Sequence, residues 1–495
     1  MSHAVLEQPE IVMDSPRVLS RRGLLGAAAL ASAVASVVRA EQQQTVRVAT
    51  DTDPSSLLEK LVDRVTFGAT QEELALAQSL GYHGYIEYHL AHLAIDDSAC
   101  DAATAHLTTL NQAYLQLITQ TNGFVRNELI ENVIIRSVAS KRQLFERMVE
   151  LWTDHFNMDI EVSQFYKTID DRTVVRAFAL STFPQLLTAS AHSPSMLYYL
   201  NNDVSTAGNP NENYARELME LHTLDVSGGY TQTDVQEVAR CLTGWQIYTS
   251  GTSRGAFRYN NGVHDQGVKH VLGLTIPANG GQADGDTVLS LLANHPSAAR
   301  FIAFKLCRHF LGYSVSSAVI DRVAAVYTAT GGDIKSLIRE TLRPQHLAAA
   351  GPKLKRPFHH FVSALRTLGA TVTSTVTMRN KLIEAGHQPF AWQTPDGYPD
   401  KLDHWSRNVL VRWNWGALVP TLGVTGITYD DAAFFAGAVT ADERADRINQ
   451  RLFLGRLPAN ERNRIRDYML PNTVTQARWR EALGLAISSP TFQWY

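Results

Sequence analysis

From Leu57 onward, apolar residues recur three and four positions apart for most of this chain, and stretches that alternate apolar with polar are sparse. That spacing places the apolar side chains on one face of a helix, because a helix turns once every 3.6 residues and a strand every two. The segment Arg142 to Phe156 is a clear case. Leu144, Phe145, Met148, Leu151, Trp152 and Phe156 fall on one face, and His155 falls with them. The expected fold class is therefore mostly α: a multi-helical single large domain with long loops and room for one small hairpin.

With 495 residues, of which 45% are hydrophobic and 19% charged, the chain can bury a substantial core. A net charge of −3 gives no electrostatic footprint for nucleic acid or for an anionic membrane. The three cysteines, Cys100, Cys241 and Cys307, form no CxxC pair. This disfavours a disulfide framework, a cysteine zinc site and an iron–sulfur cluster.

Near the N-terminus, Ser20-Arg21-Arg22-Gly23-Leu24-Leu25 precedes an Ala-rich apolar run from Gly23 to Val38 that is short for a bilayer span. This pattern is that of a twin-arginine export signal over residues 1–40, with Val38-Arg39-Ala40 as cleavage site. The mature protein is then expected in the periplasm or outside the cell, with no stable membrane span once the signal is removed. Residues 41–54 read as a polar linker and 55–495 as the helical domain.

Within that domain the pattern predicts helices between Leu57 and Leu90 with a turn at Gly68 and a break at Gly81, and a long helix over Asp101 to Thr119. More helices follow at Val174 to Ala189, Pro194 to Leu200, Asp286 to Asn294, Ala298 to Leu311, Ala318 to Thr328, Ile334 to Leu342 and Pro357 to Leu368. Thr249 to Gly285 is a Gly-, Asn- and Ser-rich excursion, and Gln388 to Pro399 is an aromatic loop containing Pro and Gly. Long loops inside a compact domain are often functional.

The densest group of chemically capable residues is NPNENYARELMELHTLDVSGGY, from Asn209 to Tyr230. Asn209 fits an N-cap, Pro210 the first helical position, and Glu212 a reciprocal capping carboxylate. At 100° per residue, Glu212, Asn213, Arg216, Glu217 and Glu220 share one arc, opposite Tyr214, Ala215, Leu218, Met219 and Leu221. His222 falls on the apolar side, and Asp225 with Ser227-Gly228-Gly229 ends the helix. Two readings remain open. The arc is a solvated face with a Glu212–Arg216 surface pair and a core histidine, or it is covered by another element and forms a site.

Asn211 to Leu221, Gly228 to Thr231, Asp234-Val235, Ala239-Arg240 and Leu242-Thr243-Gly244-Trp245 together resemble the signature of the bacterial domain-of-unknown-function 1800 family. The resemblance extends to Arg64 to Gly68, Leu151-Trp152 with His155-Phe156, Ser193 to Leu197 with Tyr199-Leu200, and His264-Asp265 with Lys269. It continues through Leu272-Gly273, His295-Pro296 through Lys305-Leu306, Lys353 to Pro357, Pro395 with Gly397-Tyr398-Pro399, and Ser489 to Gln493. It covers about residues 55 to 495. It implies an exported, mostly helical protein and, as a partner, an exported protein similar to sulfatases; it implies no particular reaction. Two positions depart from the family pattern: Asp225 stands where glycine is usual, and Asp396 replaces a second Pro or Thr.

Among the matching motifs, mixed imidazole and carboxylate side chains suit a divalent metal such as zinc, manganese or iron. A metal-dependent hydrolase would draw ligands from His155, Glu217, His222, His264 and Asp265, not all of which need bind. Glu212 or Glu220 would be the general base, and Arg216 or Lys269 would stabilise negative charge. Spacing lends little support, since HExxH is absent and Glu217 and His222 stand about 140° apart around a helix. A metal-free hydrolase with paired carboxylates, acting on an extracytoplasmic glycan or peptide, is the second reading. In that case Trp245, Trp392, Trp405 and Tyr398 could line a sugar cleft. The third is a non-enzymatic helical scaffold or partner protein, in which the same polar residues fix helix geometry.

Overall fold

Described in a computed structural model, residues 54–470 and 475–495 form one mostly helical unit with three two-stranded antiparallel sheets. The expected export signal, residues 1–40, and all but the last residue of the expected linker lie outside the described residues. Among those described, no helix is long and apolar enough to cross a membrane.

The sequence pattern marks most helices closely. Gln143–His155, Pro194–Tyr199, Pro296–Leu311, Ser317–Thr330, Ile334–Thr341 and Pro357–Leu368 all form where the apolar spacing places them. Helix Gln71–Leu90 breaks at Gly81, whose φ of 70° is left-handed backbone. The segment expected as one helix over Asp101 to Thr119 is two short ones, Ser98–Thr104 and Tyr114–Leu117. Glu128 accounts for the interruption by accepting hydrogen bonds from the Thr109 amide at 2.7 Å and hydroxyl at 2.6 Å, which fixes a turn there. The Gly-rich excursion holds two hairpins rather than one. Trp245–Ile247 pairs with Phe257–Tyr259, and Lys269–Val271 with Leu274–Ile276.

Two large apolar cores account for the packing. One runs mainly from Leu58 to Leu347. The other gathers Phe67, residues of the Asn122–Ala139 helix, and the chain from Phe358 to Phe492. A small aromatic cluster of Leu354, Tyr398 and Trp405, with Trp392 packed on it, forms a third. Helix Gln143–His155 contributes to the first core and Pro357–Leu368 to the second. Both are buried nearly all round, so each also carries charged residues into the interior. Buried charge is costly unless paired. The pairs these two helices make define the candidate site.

Candidate functional site

The Asn209–Tyr230 stretch folds as a solvated arc beside a core, with a shifted cap. Helix Glu212–Met219 is capped by Asn211, whose side chain accepts from the Asn213 amide at 2.8 Å, while Asn209 pairs with Thr206 in the preceding turn. Glu212 and Arg216 form an ion pair at 3.5 Å, each about 40% exposed, and both bond Gln232. Such a pair contributes little. Glu220 has the Tyr230 hydroxyl at 3.5 Å. Glu217 is half-buried, and burial together with Glu220 raises its pKa. After Met219 the backbone becomes a π-helical turn, Glu220–Leu224, which alters the 100° register and carries His222 into the core.

His222 and His155 are neighbours, 6.2 Å between ring centroids, and the His155 Nε2 donates to the His222 carbonyl at 3.1 Å. Burial holds both rings neutral, His222 down to about 3 and His155 well below its usual value. His264 belongs to a different cluster, beneath the hairpins. Asp284 accepts from Lys269 at 2.5 Å and faces His264 Nε2 at 3.0 Å, while Asp265 takes both Nε and Nη2 of Arg240 and is thereby held below the usual carboxylate range. The five candidate metal ligands are thus not brought to one centre. Among the described residues, no three His, Cys, Asp or Glu side chains are grouped so as to hold a metal ion. Of the candidate catalytic residues, Glu212 and Arg216 sit on the half-exposed helix face and Lys269 is sealed under the hairpins.

A cavity of about 260 Å3 opens instead between the two helices that carry charge inward. Arg147, Asp154 and His155 come from helix Gln143–His155, and Lys305, Arg308 and His309 from helix Pro296–Leu311. Lys353, Arg356 and His359 come from the start of helix Pro357–Leu368, and Gly397 to Lys401 from the aromatic loop; Tyr495 closes one side. Arg356 holds Asp154 at 2.6 Å with one Nη and Glu150 at 2.6 Å with the other. Arg147 takes the second Glu150 oxygen at 2.5 Å and donates to the Tyr495 hydroxyl at 3.1 Å. Lys353 donates to Asp400 Oδ2 at 2.6 Å and to the carbonyls of Arg308 and His309. Lys305, packed 5.1 Å from the Phe301 ring, makes no direct ion pair among the described residues.

Two carboxyls in this cavity are driven apart. Burial, reinforced by Glu150 and Asp400, outweighs the Arg356 guanidinium and pushes Asp154 up to about 6. Burial acts on Asp400 too, but Lys353 and Arg356 overcome it and hold this carboxylate below its usual value. Lys305 is lowered by burial, against the pull of Asp154 and Asp400. Asp400 Oδ1, Arg147 Nε, His155 Nδ1, His309 Nε2 and His359 Nε2 are buried and have no hydrogen-bond partner among the described residues. Unpaired buried polar atoms are few in folded proteins. Five around one cavity mark a place built for something polar.

Sequence reasoning did not select Asp154, Asp400, Arg147 or Arg356. A signal was present: the matching motifs Leu151-Trp152 with His155-Phe156, His295-Pro296 through Lys305-Leu306, Lys353 to Pro357, and Pro395 with Gly397-Tyr398-Pro399 lie far apart in the chain and contribute residues to this one cavity. Of the four aromatics expected in a sugar cleft, Trp245 and Trp405 are buried in packing, while Trp392 and Tyr398 stand at the aromatic loop.

The fold and cavity define a helix-dominated protein, its sheets all two-stranded among the described residues, with a cationic, ion-paired pocket. Residues 60–494 match the model of the family described as Protein of unknown function (DUF1800), and the chain belongs to that family. No curated protein and no solved structure matched it.

Proposed function

We propose that the protein is an exported hydrolase whose acid/base pair is Asp154 and Asp400. The observation that carries this reading is the separation of the two carboxyls, one raised to about 6 and the other held ionised in the same cavity. Environments that push two titratable groups apart assign an acid and a base. Asp154 gives its proton to the leaving atom as the scissile bond breaks. Asp400 takes a proton from the attacking water, whose oxygen forms the new bond. Proton exchange with solvent then restores both groups. Lys305, which makes no direct ion pair among the described residues, stabilises negative charge that develops on the substrate. The twin-arginine pattern at residues 20–40 supports an extracytoplasmic substrate.

The test is a panel of fluorogenic esters, glycosides and peptides assayed against pH. The expected profile has a limb near pH 6 that Asp154→Asn removes, with rate losses of about 100-fold or more for Asp154→Asn and Asp400→Asn. Hydrolysis that both variants retain would sink the assignment.

A scaffold or partner role, for instance beside an exported sulfatase-like protein, is the second reading. It is favoured by the engagement of Arg147, Arg356 and Lys353 with protein partners, as in a network that fixes helix geometry. Under it, Asp154→Asn would alter stability alone.

A further inference from the structure

The aromatic loop has a second face. Opposite the cationic cavity, it walls a groove of about 590 Å3 that Tyr398 shares with the cavity. We propose that this groove is a saccharide subsite, binding a neutral pyranose ring stacked on Trp392. The proposal rests on the hydrolase reading only for what the bound sugar is for; the binding itself stands on the groove.

The first observation is rigidity. The Trp392 indole donates from Nε1 to Asp396 Oδ1 at 2.9 Å, which fixes its ring plane. Asn157 donates to the carbonyls of Trp392 at 2.9 Å and Thr394 at 2.7 Å, and the Tyr199 hydroxyl to that of Gln393 at 2.6 Å. The Ile160 amide holds the Phe390 carbonyl at 2.9 Å. A loop without regular structure is thus tied down along its length, and a ligand meeting it loses little to ordering.

The second observation is an amide without a partner. Gln388 lines the groove, is only 8% exposed as a residue, and its side chain makes no hydrogen bond among the described residues, although the Tyr398 hydroxyl occupies its backbone carbonyl at 2.6 Å. The polar atoms of this amide keep contact with solvent in the groove, so a ligand can take them over without breaking a bond inside the protein. It offers both donor and acceptor, so a group able to answer both suits it, and a sugar hydroxyl does. Gln393 also lines the groove with a free amide, and Asp159 contributes an acceptor whose Oδ1 already takes the Glu161 amide at 2.9 Å.

Charge narrows the ligand class. No lysine or arginine lines the groove, whereas Asp159 and Glu161 do. An anionic group is therefore disfavoured here and belongs to the cavity across the loop. An indole face, flanking amides and carboxylate acceptors together fit a ring with one apolar face and a rim of hydroxyls.

Calorimetric titration of the mature protein with β-linked tetrasaccharides of glucose, xylose and N-acetylglucosamine tests this. At least one probe is expected to bind, with affinity reduced about tenfold or more by Trp392→Ala, less by Trp392→Phe, and about threefold to tenfold by Gln388→Ala. Asp154→Asn should leave binding unchanged, so loss of hydrolysis with retained sugar binding would refute only the hydrolase reading. The subsite is overturned if none of the three sugars binds, if binding is indifferent to Trp392→Ala and Gln388→Ala, or if a proline-rich peptide occupies the groove in their place.

Discussion

Gly397 lies so close to the main chain of Asp154 that a Cβ at this position would overlap the Asp154 carbonyl, and its φ of 72° is one that side chains rarely adopt. The aromatic loop is thereby pressed directly onto the residue with the raised carboxyl. Gly397→Ala should lift the loop and cost about 1–3 kcal/mol in urea unfolding, combining backbone strain with overpacking. The same variant should move the Asp154 titration, followed by carboxyl-carbon NMR, down toward the ordinary carboxylate range as water enters.

Arg356 serves Asp154 and Glu150 at once from a nearly buried position. Arg356→Met would leave two carboxylates facing each other without their shared cation. A loss of about 3–5 kcal/mol is expected in denaturant unfolding at pH 7, shrinking at pH 5 as Asp154 takes up a proton. An equal loss at both values would mean that Asp154 is not the group left uncompensated.

His222 is held neutral in the fold down to about pH 3, whereas in the unfolded chain it protonates near 6.5. Between those values the unfolded state binds the extra proton, so the stability His222 contributes is present above pH 6.5 and is lost as pH falls through this window. Replacing it with Asn should flatten the acid limb of the stability curve by up to about 1.4 kcal/mol per pH unit. Thermal melts between pH 4 and 7 provide the comparison.

Asp225 adopts φ 67° and ψ 162°, a region essentially reserved for glycine, where its side chain bonds only Ser227 at 3.1 Å. Asp225→Gly should therefore raise stability, by about 1 kcal/mol after the entropy of the freer unfolded chain is subtracted. A lower melting temperature would show that the carboxylate acts through another partner, and Lys305, which feels its charge, is the first to examine.

The helices were largely legible in advance, because a buried face at 3.6-residue spacing is a local property: Pro357–Leu368 forms on its expected boundaries, with Pro357 at its first turn. What failed locally failed for reasons of contact at a distance. The Asp101–Thr119 helix is broken by Glu128, and the register past Met219 is changed by a π turn that no spacing rule anticipates. The site residues chosen from the densest polar stretch scatter. Glu212 and Arg216 face solvent, His222 is core, and His264 is tied to Asp284 in another cluster.

By itself, then, the sequence determined the helical class, the family and the positions of most helices. Only the tertiary structure decided which charges matter. Arg147, Asp154, Arg356 and Asp400 are unremarkable in isolation, and their chemistry arises because the packing of distant helices and the aromatic loop withdraws them from water beside one another. Desolvation and charge proximity depend on neighbours far apart in the chain, as Arg356 is 206 residues from Glu150 and Arg147 is 348 from Tyr495, and no local pattern encodes them.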